Sequence, residues 1–170
     1  GAEVEVARGR PQVTQAALDL AIEKFEAAGN QAGKIEAIGA QTQSLLAQNH
    51  FVRARELAEQ TVREALEIKR ERIAAQAGVW LALANLPEDA PLESGIQDVD
   101  KAILLAEKLD EPDILWPLYL VACQLYTRHK DTQKAAQLYE QGRASAQIAF
   151  SRISGRFEIS YAQVWHRHHL

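Results

Sequence analysis

The sequence predicts an all-α fold of about eight antiparallel helices, paired as four helical hairpins. Apolar residues recur every three or four positions along most of the chain, and no run alternates between apolar and polar residues as a strand does. Four of the five prolines fall at the predicted junctions between these periodic segments, and we expect Pro117 in a first turn, where a missing N–H costs little. Short junctions between successive helices predict antiparallel pairs.

The first four helices follow one another with short interruptions. Their apolar stripes predict helices over residues 12–28, 31–48, 50–68 and 70–85. Gly29 and Asn30 end the first stripe, and this pair is typical of a helix that finishes with a left-handed residue. The segment 1–11 shows no such stripe, so we expect a flexible N-terminal segment followed by a single domain over 12–170.

A long loop over 85–95 is predicted to separate the first two hairpins from the last two. Pro87 and Pro91 cannot stand inside a helix, and Gly95 follows soon after them. Ser94 and Gln97 are three residues apart, which is the spacing of a capping box at the start of the fifth helix.

The helix predicted from Asp113 to about His129 is apolar on nearly every side. Such a helix is surrounded by other helices rather than laid on a surface. Asp131 is expected to cap the seventh helix. A stripe in the last residues predicts an eighth helix, with apolar positions Phe157, Tyr161, Val164 and Trp165.

Small residues recur on every second helix. Ala17, Ala54, Ala102 and Ala135 align, and their spacing along the chain indicates a repeat length in the mid-thirties with one insertion, in the proline-rich loop. The ladder is clearest in the last hairpin, where large and small residues alternate in the order Tyr119, Ala122, Cys123, Tyr126, Ala135, Tyr139 and Gly142. We expect Ala135 and Gly142 to let two helices approach closely, while Tyr126 and Tyr139 fill the gaps beside them.

This ladder resembles that of the tetratricopeptide repeat (TPR) family. The resemblance covers most of the chain and implies a right-handed, TPR-like superhelix in which the first helix of each pair lines a concave binding face. The closing proline of the family is missing from its usual place, and the insertion is atypical. The family pattern places these residues on the concave face: Ala75, Val79, Ala82, Leu83, Leu120, Gln124, Thr127 and Arg128.

Composition excludes several classes of function. A net charge of −4 and a pI near 5.8 argue against nucleic acid or an anionic membrane as a partner. No apolar run is long enough to predict a membrane span. Cys123, the single cysteine, cannot form an internal disulfide, and its apolar neighbours favour a packed thiol in a reducing, cytoplasmic environment.

Motifs for catalysis or cofactor binding are missing from the sequence. It contains no phosphate-binding loop, no zinc-protease motif and no serine-hydrolase elbow, so we expect neither enzymatic activity nor a cofactor. His166, His168 and His169 are dense enough to bind a transition metal, but no carboxylate lies in the same turn. We expect a solvated chain end there and no metal site.

Two functions remain from different classes. The first is a non-catalytic interaction or scaffolding module, which binds a protein, a peptide or neighbouring domains and acts in a larger signalling or transcription-regulatory protein. The sequence contains no methionine, even at position 1, so we expect either a processed product or a piece of such a larger protein. The alternative is a sensor that holds a small molecule or short peptide between helices, near Trp80, Trp116 and Tyr119. Association of identical copies stays open.

Overall fold

A computed structural model describes residues 2–154, with side chains described for 15–152. These residues form seven α-helices and no strand: α1 (Ala2–Ala27), α2 (Gln31–Ala47), α3 (Phe51–Glu67), α4 (Glu71–Ala84), α5 (Leu92–Leu109), α6 (Pro112–Arg128) and α7 (Thr132–Ser154). The all-α prediction is therefore confirmed. The predicted eighth helix lies outside the described residues. Helix α1 begins at Ala2 and so includes most of the segment 1–11 that we expected to precede the domain.

Five of the six connections between the described helices have the same type of turn. In each, a single residue adopts the left-handed conformation, with φ between 51° and 66°; these residues are Gly29, Asn49, Lys69, Asp110 and Lys130. The next N–H then donates to the carbonyl five residues back, as from Asn30 to Phe25 at 2.8 Å. The cap predicted at Gly29 is confirmed, and four turns of the same kind are formed without glycine.

The spacing of these turns corrects the predicted repeat length. The left-handed residues stand at positions 29, 49 and 69 and again at 110 and 130, so each turn follows the previous one of its series after twenty positions. Helices α2, α3 and α6 have 17 residues each, and the turns add the remainder. A hairpin therefore spans twice this spacing, which is longer than the predicted length in the mid-thirties. Aligning the small residues of alternate helices gave a shorter repeat length because these residues do not stand at the same position within their helices.

The connection between α4 and α5 is the exception. Helix α4 ends after 14 residues, and the loop covers 85–91 rather than 85–95, because α5 already begins at Leu92. Pro91 stands at the N-cap, and the hydroxyl of Ser94 donates to its carbonyl at 3.2 Å. The predicted capping box of Ser94 and Gln97 is therefore wrong, since both residues lie inside the helix. The cap predicted at Asp131 is confirmed, because its side chain accepts the N–H of Lys134 at 3.0 Å.

The helices pack in chain order. Each helix contacts the next one along the chain, and α4 also contacts both α2 and α6. The largest apolar cluster is formed by α4, α5, α6 and α7, with Val99, Leu118 and Leu125 fully buried. Helix α6 thus packs against three others, as its apolar pattern predicted.

Small residues hold some of these helices close together. A Cβ atom added to Gly142 of α7 would lie 3.0 Å from Cδ2 of Leu120 in α6, and Ala135 is buried nearby. The predicted close approach of α6 and α7 is confirmed. Tyr139 does not fill a gap there, since it is 51% exposed. Ala17 is also exposed, and α2 is the helix against which the described part of α1 packs.

Candidate functional site

The predicted binding residues of α4 are mostly buried. Ala75 and Ala82 are 0% exposed, Val79 is 6% exposed, and Leu83 packs against the same apolar cluster. That cluster includes Leu118 of α6, and α6 contacts α4 directly. These side chains therefore belong to the core between two hairpins and do not line an open face.

The predicted binding residues of α6 are separated from those of α4 and from one another. Leu120 is partly buried against Gly142 of α7. Gln124 and Thr127 are exposed. The guanidinium of Arg128 already has hydrogen-bond partners within the protein: it donates to the carbonyl of Leu86 and, at 3.4 Å, to that of Pro87. It fastens the α4–α5 loop to α6, so the eight predicted residues do not form one surface.

A groove lies elsewhere, between α3 and α5, with α4 as its floor. Its volume is about 550 Å³. Ala74 and Gly78 of α4 and Ala102 of α5 have short side chains, which keeps the floor low. The remaining lining residues are Glu59, Val62, Arg63 and Leu66 from α3, Leu81 from α4, and Asp98, Lys101 and Leu105 from α5. Gly78 and Ala102 were visible in the sequence as small positions, but nothing there showed that they would leave an opening.

The rims of this groove carry charges of both signs. Glu59 and Arg63 are exposed on α3, one helical turn apart, and neither forms a hydrogen bond or ion pair with another residue of the described part of the chain. Lys101 is exposed on α5. Asp98 accepts a hydrogen bond from Asn85 at 3.2 Å. Burial raises the pKa of Asp98, and Asn85 and nearby cations oppose this rise only in part.

The end of the floor is built from polar groups. Asn85 is fully buried where α4 ends, and Arg55 of α3 donates to the carbonyl of Ala84 at 3.2 Å. Nε of Arg55 and Oδ1 of Asn85 are buried without a hydrogen-bond partner within the described residues. Arg55 thus brings positive charge to a carbonyl at the end of α4, which the helix dipole favours, and Arg128 bonds carbonyls of the loop that follows.

Two tyrosines attach α6 to α5 behind the groove. The hydroxyl of Tyr119 donates to Glu107 at 2.6 Å, and that of Tyr126 donates to Asp100 at 2.7 Å. Burial is the largest cause that raises the pKa of both phenols, and the carboxylate beside each adds to it; for Tyr126 the pKa rises to about 12. These bonds fix the position of the α5 wall.

The aromatic residues of the sensor hypothesis lie in three different interfaces. Trp80 of α4 covers Gly39 of α2, Trp116 of α6 packs on Phe150 of α7 with ring centroids 5.9 Å apart, and Tyr119 bonds to α5. None of the three lines the groove.

Within 2–154, no three side chains of histidine, cysteine, aspartate or glutamate are grouped so that they could hold a metal ion. His166, His168 and His169 lie outside that range, and Cys123 is a partly buried free thiol. None of the helices in that range combines the length and the apolarity needed to cross a membrane.

No protein-family model matches this chain, and a search of curated proteins finds no match either.

Proposed function

We propose that the chain is a non-catalytic protein-interaction module, built from TPR-like helical hairpins that continue as a right-handed superhelix. It acts in the cytoplasm as the regulatory or scaffolding part of a larger signalling or transcription-regulatory protein. The observation that carries this proposal is the groove between α3 and α5, which has an apolar floor and charged rims. Its partner is another polypeptide or a neighbouring domain of the same one.

The packing of the helices supports this function. In a stack of hairpins each helix is held by its neighbours, so the walls of a groove keep their shape without a ligand. A preformed groove lowers the ordering cost of binding. The charged side chains of the groove lie on its rims. There they orient a partner and carry out no reaction.

An affinity capture experiment tests this function. The protein is immobilised through a tag, exposed to lysate and washed, and the retained polypeptides are quantified by mass spectrometry against blank beads. Leu66→Asp, which changes a groove residue that is 46% exposed, is compared with Leu104→Asp, which changes a residue that is 66% exposed and outside the groove. We expect a discrete polypeptide on the wild type and on Leu104→Asp, and much less of it on Leu66→Asp. Retention no higher than on blank beads would contradict an interaction function.

A further inference from the structure

We propose that the groove between α3 and α5 binds a single amphipathic α-helix of the partner, with a narrow apolar face flanked by charges of both signs. This inference rests on the proposed interaction function and names the kind of partner that the groove accepts. Its shape, its apolar lining and its unpaired charges carry the inference.

The shape of the groove suits a helix. Helices α3 and α5 both pack against α4, and the groove runs between these two walls over buried residues of α4. Ala74 and Ala102 have short side chains, and Ala102 packs directly on Gly78, so the bottom of the groove is low and a helix can lie between the walls. Recognition of this kind places apolar anchors of the ligand one or two turns apart in an apolar channel.

The lining supplies most of the binding free energy. Leu66 and Val62 on one wall and Leu105 on the other present apolar surface, and Leu66 is still 46% exposed. Covering such a side chain completely strengthens binding by about tenfold or more. Since exposed ion pairs contribute little to affinity, the rim charges mainly set orientation and specificity.

Charge complementarity defines the partner further. On the α3 wall, Glu59 and Arg63 are one turn apart and have no partner among the described residues, and Lys101 faces solvent on the α5 wall. A bound helix satisfies these groups when acidic residues lie beside Arg63 and Lys101 and a basic residue lies beside Glu59. The apolar face of the helix must be narrow, because both walls are charged along their edges.

A small molecule fits this groove less well than a helix. Sites for small molecules combine an apolar pocket with a few polar groups that converge inside it. Here the floor is apolar, and Glu59, Arg63 and Lys101 lie exposed on the rims. The groove therefore favours a ligand that extends beyond it and is charged at its edges.

The test uses displayed peptides as the probe. A library of amphipathic helical peptides is selected on the wild-type protein, and the selected peptides are synthesised and titrated by fluorescence anisotropy. We expect apolar residues at intervals of three and four, flanked by acidic and basic residues. Leu66→Asp should weaken binding about tenfold or more, and Leu104→Asp should leave it within about twofold.

Charge reversal tests the rims independently. Arg63→Glu combined with Lys101→Glu should weaken the binding of peptides with acidic flanks several-fold, and this loss of affinity should shrink as salt is added. Arg53→Glu, an exposed change on α3 outside the groove, is the matched control and should have little effect. Circular dichroism confirms that each variant is folded.

Three outcomes would overturn the proposal. Selected peptides that bind Leu66→Asp as tightly as the wild type would place the site elsewhere, as would NMR shifts confined to Gln124 and Thr127; either result leaves the interaction function standing. A groove that binds compounds of a fragment library but none of the selected peptides would show a small-molecule site instead.

Discussion

Gly78 should be intolerant of even one added methyl group. A Cβ atom on Gly78 of α4 would lie 2.6 Å from Cβ of Ala102 in α5. Two carbon atoms in contact prefer about 3.5–4.0 Å, so the two helices would have to separate by roughly 1 Å. Ala102 is anchored to its own helix and cannot rotate away. The same contact forms the floor of the groove, so stability and binding should respond together.

The expected size of the effect follows from two opposing contributions. Overpacking costs about 1–3 kcal/mol, and alanine in place of glycine inside a helix returns about 1 kcal/mol. Gly78→Ala should therefore lower the free energy of unfolding by about 1 kcal/mol. Ala102→Gly should cost about 2 kcal/mol, because it loses helix propensity and a buried methyl group. In the double variant one methyl group is removed from α5 and one is added to α4 at the same contact. The free energy of unfolding should therefore return close to that of the wild type.

Urea unfolding followed by circular dichroism measures all four proteins of this cycle. The two single changes are expected to couple by about 3 kcal/mol, so that each offsets the other. Gly142→Ala is a milder comparison: its Cβ would meet Cδ2 of Leu120 at 3.0 Å and Cβ of Tyr119 at 3.2 Å, so the neighbours need to give by only a few tenths of an ångström, and the gain in helix propensity offsets this. It should change stability little. If the double variant loses the sum of the two single losses, the contact of Gly78 with Ala102 does not limit the approach of α4 and α5.

Three further predictions concern polar contacts. Tyr126→Phe should cost about 1 kcal/mol at pH 7 through the lost bond to Asp100. The pKa of Tyr126 is raised from 10.0 to about 12, so the stabilising contribution of its hydroxyl should be fully present below pH 10 and lost as the pH rises to 12. Over this range the wild type should lose stability more steeply than the variant. Absorbance titration at 295 nm and urea midpoints check this, and parallel curves for the two proteins would contradict it. Arg128→Ala should lower the free energy of unfolding by about 1.5–3 kcal/mol and speed hydrogen exchange in the loop 85–91. The control Arg53→Ala should change it by less than about 0.5 kcal/mol. Equal effects of the two changes would show that Arg128 does not hold the loop. Asp98→Asn keeps an acceptor for Asn85 and removes a charge that burial penalises, so it should be at least as stable as the wild type at pH 7. Its advantage should shrink as pH falls towards the unfolded value of 3.8, where Asp98 is protonated in the wild type; a gap that is constant with pH in thermal melts would refute the raised pKa.

The predicted helices agree well with the structure where local chemistry decides them. The apolar stripes place α2, α3 and α6 within a few residues of their bounds, because an amphipathic pattern and its end signals are local. Four of the five left-handed turns were not recognised. Asn49 and Asp110 are of residue types that adopt this conformation more readily than most, so a local signal existed for these two turns, whereas Lys69 and Lys130 offered none.

The candidate site was predicted less well. Aligning repeats identified Ala75, Val79 and Ala82 as equivalent to residues of the last hairpin, but these three are buried in the apolar cluster that α4 forms with α5, α6 and α7. Arg128 was predicted to face a partner, and its guanidinium instead binds carbonyls of the distant loop between α4 and α5. The groove was not predicted, since its walls come from α3 and α5, which are adjacent only after folding.

The amino-acid sequence by itself determined that the protein is helical, where most helices begin and end, and that α6 is enclosed by other helices. These properties depend on the period of apolar residues and on capping groups within a few positions of each other. The tertiary structure alone decided which small residues touch and which surface forms a groove. Whether a side chain is covered depends on distant helices, and no local pattern carries that information.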